Sequence, residues 1–446
     1  MADQATTTGA AELIASLEAQ LRTTPLSVKP YEHATLMFRL GLAHAESNTA
    51  DPSSGLRKAL ACYEVAAGVF DPRIDPVEHA RVLNVAGAAH RGLGDRRRAA
   101  ALFERAAELL EDRARSDELA AVWNNIGLVR LELGENDAAV EACGRALLLF
   151  DPSSAEGRRG RVAALQTRAT AHASQPDGSG LDEALADLSA AAGEVDREEA
   201  PYHYGLIHHS LGTTYTAMAA SGPQAEASAH LRRAVLAFSE SLVVFSRPSF
   251  PYQHALAKHN LGRALSALGD DTNLRRAMAC FEDAAAILHP QSHPDAWRHA
   301  MESLRDCESL LAGRYPGRSR TQHFVELVAE GNDGEARALL RDRLTRFLDL
   351  PPAQRDAAFA DFALTVGRSA PETARSVLAA ALDVLVELPS GALDVALRAV
   401  VFANRSLGDS QEEADRALDQ AVSDALVGPQ RVWVRDFLYS LDWERP

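Results

Sequence analysis

Apolar residues recur every three or four positions through most of the chain, in stretches of roughly fifteen residues broken by Gly, Pro, Asp or Asn. Strict apolar–polar alternation of useful length is absent, so the pattern predicts helices and no strands. Two columns of small residues arrange those helices in pairs. The first runs Gly41, Gly87, Gly127, Ala169, Gly212, Gly262 and Cys307, and the second runs Ala59, Ala99, Ala139, Ala184, Ala234 and Ala277. Members of the first column stand roughly 40–50 residues apart, the spacing of a stacked helical-repeat array. Helix axes approach closely only where the facing side chain is small. Tyr63, Phe103, Phe238 and Phe281 on second helices, with Met37 and Trp123 on first ones, are the bulky residues expected to fill the remaining gaps.

Punctuation supports the pairing. Gly94, Gly134 and Gly269 stand where first helices must end, in the role of a left-handed cap. Asp95, Asn136 and Asp270 follow and are expected to cap the next helix. Pro-Tyr at 30–31, 201–202 and 251–252 suits a helix start. The expected organisation is an N-terminal segment with a capping helix (1–29), an array of about six hairpins (30–312), a Gly/Pro/Ser linker (313–321) and a C-terminal helical region (322–446). In that last region the period predicts helices near 322–330, 333–348, 352–366, 372–387, 391–407, 411–426 and 430–440, with 391–426 reading as a decayed repeat. The closing VWVRDFLYSLDW is the most aromatic stretch and reads as a terminal cap more readily than as an anchor for a partner.

One unit, NNIGLVRLELGENDAAVEACGRALLLFDP, resembles the tetratricopeptide repeat. Trp123, Ile126, Gly127, Gly134, Ala139, Ala146 and Pro152 stand at its motif positions, and Cys143 replaces the usual aromatic. Gly87, Gly94, Ala99, Phe103 and Ala106 match nearly as well. The period is longer than the usual repeat of about 34 residues, so several units depart by inserted loops, and 156–197 is degenerate. The resemblance implies an all-α, right-handed α-solenoid of repeat-like hairpins followed by the C-terminal helical region. It also implies a concave groove lined by first helices, holding a protein or peptide partner.

Composition narrows the partner class. The 446 residues carry a formal charge of −16, which argues against a general nucleic-acid binder or a polybasic membrane-surface protein. Only Lys29, Lys58 and Lys258 are lysines; with heavy Ala and Arg usage this suggests a bacterial source of high GC content. Cys62, Cys143, Cys280 and Cys307 lie far apart inside helical patterns, as free cysteines in a reducing cytoplasm do. The N-terminus lacks the basic start and apolar core of a signal peptide, and no stretch is long and apolar enough to span a membrane. There is no P-loop, no GxGxxG after a strand, no HExxH, no GxSxG and no paired CxxC. No catalytic residue, metal or cofactor is therefore assigned.

Carrying the family's groove positions over residue by residue places two lanes beside the small-residue column. Asn84, Asn124, His209 and His259 form one; Arg39, Asn125, Ser210 and Asn260 form the other; Arg81, Thr213 and Arg263 lie one turn away, with Lys258 close by in sequence. A carboxamide donates and accepts together, matching a peptide backbone, and Arg holds carboxylates bidentately. Nine of the 15 histidines fall between 203 and 299, but none shows a metal-ligand spacing with a carboxylate partner. His33, His79, His254 and His299 recur at helix starts and read as structural. The leading reading is a protein-interaction or scaffold module. The alternatives are a ligand- or peptide-responsive regulator acting through a partner, and a biosynthetic or modifying enzyme using the His-rich 203–263 stretch.

Overall fold

The computed structural model describes residues 2–47, 52–111, 116–389, 391–444 and 446. Among these residues the chain is an all-α solenoid without strands. It divides into two compact units, Met1–Ser221 and Gly222–Pro446.

In the first unit, helix α1 (Ala2–Thr23) precedes hairpins α2 (Pro30–Glu46) with α3 (Pro52–Val69), α4 (Pro76–Gly92) with α5 (Arg96–Leu110), α6 (Ser116–Glu132) with α7 (Asn136–Leu149), and α8 (Ala155–Ala173) with α9 (Leu181–Glu194); α10 (Pro201–Ser221) packs on α9. The predicted capping helix is α1, whose Leu17 is buried with Leu40, Ala43 and Cys62. Each hairpin closes on the small columns. Ala59, Ala99, Ala139 and Ala184 are fully buried. A Cβ added at Gly87 would lie 2.7 Å from Cε1 of Phe103, so only glycine lets that ring lie flat on the first helix. At Gly127 the same hypothetical Cβ meets the sulfur of Cys143, which therefore occupies the ring's place. The degenerate hairpin changes both partners: Ala169 and Leu188 are buried where the others carry glycine and an aromatic.

Gly94 and Gly134 have φ of +84° and +79°, the left-handed caps expected. Asp95 accepts from the amide of Arg98, as a cap should. Asn136 departs from expectation: it is the first residue of α7, and its Nδ2 donates to the carbonyl of Ser174, tying two hairpins together. Three helix-start histidines share one device. The Nδ1 of His33, His79 and His254 bonds the carbonyl oxygen nine residues earlier, of Thr24, Phe70 and Phe245, at 2.7, 2.6 and 2.8 Å. His299, placed in the same column by sequence, is exposed.

The second unit begins with α11 (Gln224–Val244), packed on α12 (Pro251–Leu268); α12 forms a hairpin with α13 (Asp271–Ile287), and α14 (Pro294–Arg314) packs on α13. There, a Cβ at Gly262 would lie 2.7 Å from Cε1 of Phe281. The remaining helices are α15 (Arg320–Glu330), α16 (Asp333–Leu348), α17 (Pro352–Gly367), α18 (Pro371–Leu385), α19 (Ala392–Arg405), α20 (Gln411–Ala425) and α21 (Gly428–Ser440). Alternate helices stack, α15 on α17 on α19 and α16 on α18 on α20, so the two-layer logic of the array continues without the Gly/aromatic columns. Val434, Leu438 and Trp443 bury one face of the C-terminal segment, and the Trp443 indole donates to Asp415 at 3.0 Å.

Candidate functional site

First helices of the hairpins turn the small column toward their partner helix. In the first unit α4 also packs beside α6. Nδ2 of Asn125 donates to Oδ1 of Asn84 at 2.8 Å, so two lane residues hold each other across the repeat boundary. Arg81 is tied to α6 as well, its Nε donating to Glu118 at 2.9 Å. Arg91 and Arg96 both reach Glu132 at 3.3 Å, extending the ladder toward the loop end. Asn124 differs: its Oδ1 is buried and has no hydrogen-bond partner. A buried carbonyl oxygen left unpaired costs about 1–3 kcal/mol. Beyond their mutual bond Asn84 keeps its Nδ2 and Asn125 its Oδ1. Arg39 on α2 is exposed. On α10, Ser210 is half-buried with its carbonyl taken by Thr213 and Thr214, and Thr213 is exposed. Burial lowers the pKa of His209 on the same helix.

In the second unit the candidates lie on α12. His259 sits 5.5 Å from the Phe281 ring, with a buried Nδ1 that has no hydrogen-bond partner. Burial, helped by the charge of Arg263 one turn on, pushes its pKa down to about 4 from an ordinary 6.5, so the ring is neutral at physiological pH. Arg263 itself is exposed and Asn260 half-buried. Lys258 points elsewhere. Its ammonium lies 3.1 Å from Asp283 on α13 and 2.5 Å from Asp342 on α16. Burial opposes its charge, yet the two carboxylates hold its pKa above the ordinary lysine value.

That lysine belongs to a buried charge cluster that sequence inspection misses. Arg343 reaches Glu282 at 3.1 Å and Arg346 reaches Asp283 at 3.1 Å, joining α16 to α13. A second set lies at the other end of α13, where Arg275, 5% exposed, bonds Glu326 at 3.0 Å and Glu330 at 2.9 Å on α15. The Arg343/Arg346 spacing on one helix face was visible in the sequence, but not the helix they meet. Among the described residues no group of three or more His, Cys, Asp or Glu is placed to hold a metal, and no helix is long and apolar enough to cross a membrane. All four cysteines are free and buried, with burial raising their pKa values, that of Cys143 to about 12.

The α6–α7 hairpin, with its Gly127 column, its left-handed Gly134 and its run of buried alanines, coincides with a family match: residues 120–150 fit the profile described as tetratricopeptide repeat. Residues 120–150 therefore form a tetratricopeptide repeat. Solved structures of similar fold include a tetratricopeptide repeat protein from Parabacteroides merdae, 16% identical, covering 65% of this chain and 91% of that one with a TM-score of 0.40. A human IFIT1 dimer with PPP-AAAA is 16% identical over 89% of this chain and 78% of that one, TM-score 0.38. Yeast Tom70 is 12% identical over 92% and 96%, TM-score 0.21. Likenesses this distant say nothing of ligands or partners. No curated protein matches the chain in sequence.

Proposed function

We propose that this chain is an interaction module that holds a peptide segment of a protein partner on the first-helix face of its hairpins. In the first unit the contacts are Asn84, Asn124 and Asn125, flanked by Arg39 and Arg81, with Ser210 and Thr213 on α10. In the second unit His259, Asn260 and Arg263 on α12 offer a similar polar face. The observation that supports the reading is the part-buried Asn84–Asn125 pair, two carboxamides joined across the repeat boundary that still have hydrogen-bonding capacity suited to a peptide backbone. Lys258 is left out, because both of its carboxylate neighbours are within the protein. The four free, buried cysteines suit a reducing compartment such as the cytoplasm.

The reading is tested by affinity capture of the partner from the source cell with the full chain. Asn124→Ala/Asn125→Ala is expected to lower recovery by about tenfold while leaving the melting temperature within a few degrees. Unchanged recovery would remove the first-helix face from the account.

A further inference from the structure

A second exposed groove lies outside the repeat hairpins, between α17 and α19, with a volume of about 490 Å³. Leu364, Val395 and Ala399 line it and Phe402 forms one lip, 64% exposed, the only phenylalanine among the exposed large hydrophobics of the described residues. A ring that exposed beside an apolar floor is a surface that a partner would cover.

The charges around it are lopsided. Arg355 and Arg398 line the groove, and the guanidinium of Arg405 stands 5.9 Å over the Phe402 ring. Arg398 lies 5.3 Å over the ring of Phe437 and, among the described residues, meets no carboxylate. Arg405 is spent on backbone, donating to the carbonyl of Asp442 at 3.0 Å. Arg355 has a carboxylate only in Asp356, its neighbour in sequence, at 3.1 Å. Three guanidiniums therefore surround the groove against one carboxylate in its lining, in a chain whose formal charge is −16. Several arginines elsewhere in the same unit are matched: Arg337 and Arg341 share Glu387, Arg375 meets Asp424, and Arg435 meets Asp419. Guanidiniums held over aromatic rings are partly pre-ordered, so less freedom is lost when they take up a carboxylate.

We infer that the α17–α19 groove docks an acidic peptide segment, with a bulky apolar side chain entering between Leu364, Val395 and Phe402 and flanking carboxylates meeting Arg398 and Arg355. The apolar anchor supplies affinity, and the arginines select sign and speed encounter. The site shares no residue with the first-helix face proposed above, and the two readings fail separately.

The test uses the full chain and two fluorescein-labelled synthetic peptides. One carries Trp and Leu anchors spaced by Glu; the other has every Glu replaced by Lys. Anisotropy titration is expected to show saturable binding of the acidic peptide, with the Lys peptide weaker by at least about tenfold. Arg398→Glu and Phe402→Ser should each weaken the acidic peptide by about tenfold. Both side chains are exposed, so the melting temperature is expected to hold, and Arg398→Lys should restore most of the affinity. Asn124→Ala/Asn125→Ala should change nothing in this titration. Absence of saturable binding, equal affinity for both peptides, or indifference to Arg398→Glu would each overturn the inference. A concentration-dependent dimer that Phe402→Ser dissolves would assign the face to a second copy of the chain and overturn it as well.

Discussion

Gly262 and Gly144 make opposite predictions from the same residue type. At Gly262 an added Cβ would meet Phe281 at 2.7 Å, so Gly262→Ala must displace a buried ring and is expected to cost about 1–3 kcal/mol. Gly144, inside α7, has nothing within 4 Å of its hypothetical Cβ; Gly144→Ala should stabilise by about 0.5–1 kcal/mol. Chemical denaturation of the two variants checks both signs. His259 gives a third test at this scale. Its folded pKa of about 4 lies below the ordinary 6.5, so the unfolded chain takes up the proton first as pH falls. Its neutral ring therefore costs no stability above pH 6.5, and stability declines as pH drops from 6.5 toward 4. NMR titration should find a histidine titrating near 4 that is absent in His259→Phe; an ordinary value for His259 would contradict its burial.

Among the elements, the clearest expectation concerns α13 and α16. Asp283 is fully shielded, which alone would raise its pKa, but Arg346 and Lys258 hold it below the ordinary carboxylate value. A depressed carboxylate contributes stability above its unfolded pKa and loses it as pH falls through the folded value, so this junction should weaken in acid. Asp283→Asn leaves Lys258 and Arg346 short of a counter-charge and is expected to cost about 3–5 kcal/mol, with faster amide exchange in α16. Unchanged exchange in α16 would show that apolar contacts alone hold it. Helix positions in this region were legible from period alone: the stretches 333–348 and 411–426 are α16 and α20 almost to the residue. Tertiary partners were not, because Glu282 and Arg343 each read as ordinary surface charges until the helices that bury them are known. Caps were legible where geometry forces the residue, as at Gly134, and misread where it does not, as at Asn136, whose carboxamide reaches the next hairpin instead.

For the molecule as a whole, the small columns exposed the repeat before any coordinates, since close helix approach dictates residue size at fixed positions. The face beside those columns was legible as a set of positions, but not how those positions are used. Asn84 and Asn125, two of the candidate contacts, bond each other, and the Oδ1 of Asn124 is buried without a hydrogen-bond partner. The charge of −16 sets one further expectation: random-sequence DNA and RNA should show no measurable affinity even at about 50 mM salt, where phosphate contacts are strongest. Filter binding checks this, and salt-sensitive retention would contradict it. The central claim is that a partner lies on the first-helix face, and site-specific photo-crosslinking tests it most directly. A photo-reactive residue replacing Asn124, compared with one replacing the exposed Arg105 on the second helix α5, is expected to capture a discrete protein partner in the source cell only from position 124. Capture from position 105 alone, or none from 124, would contradict the account.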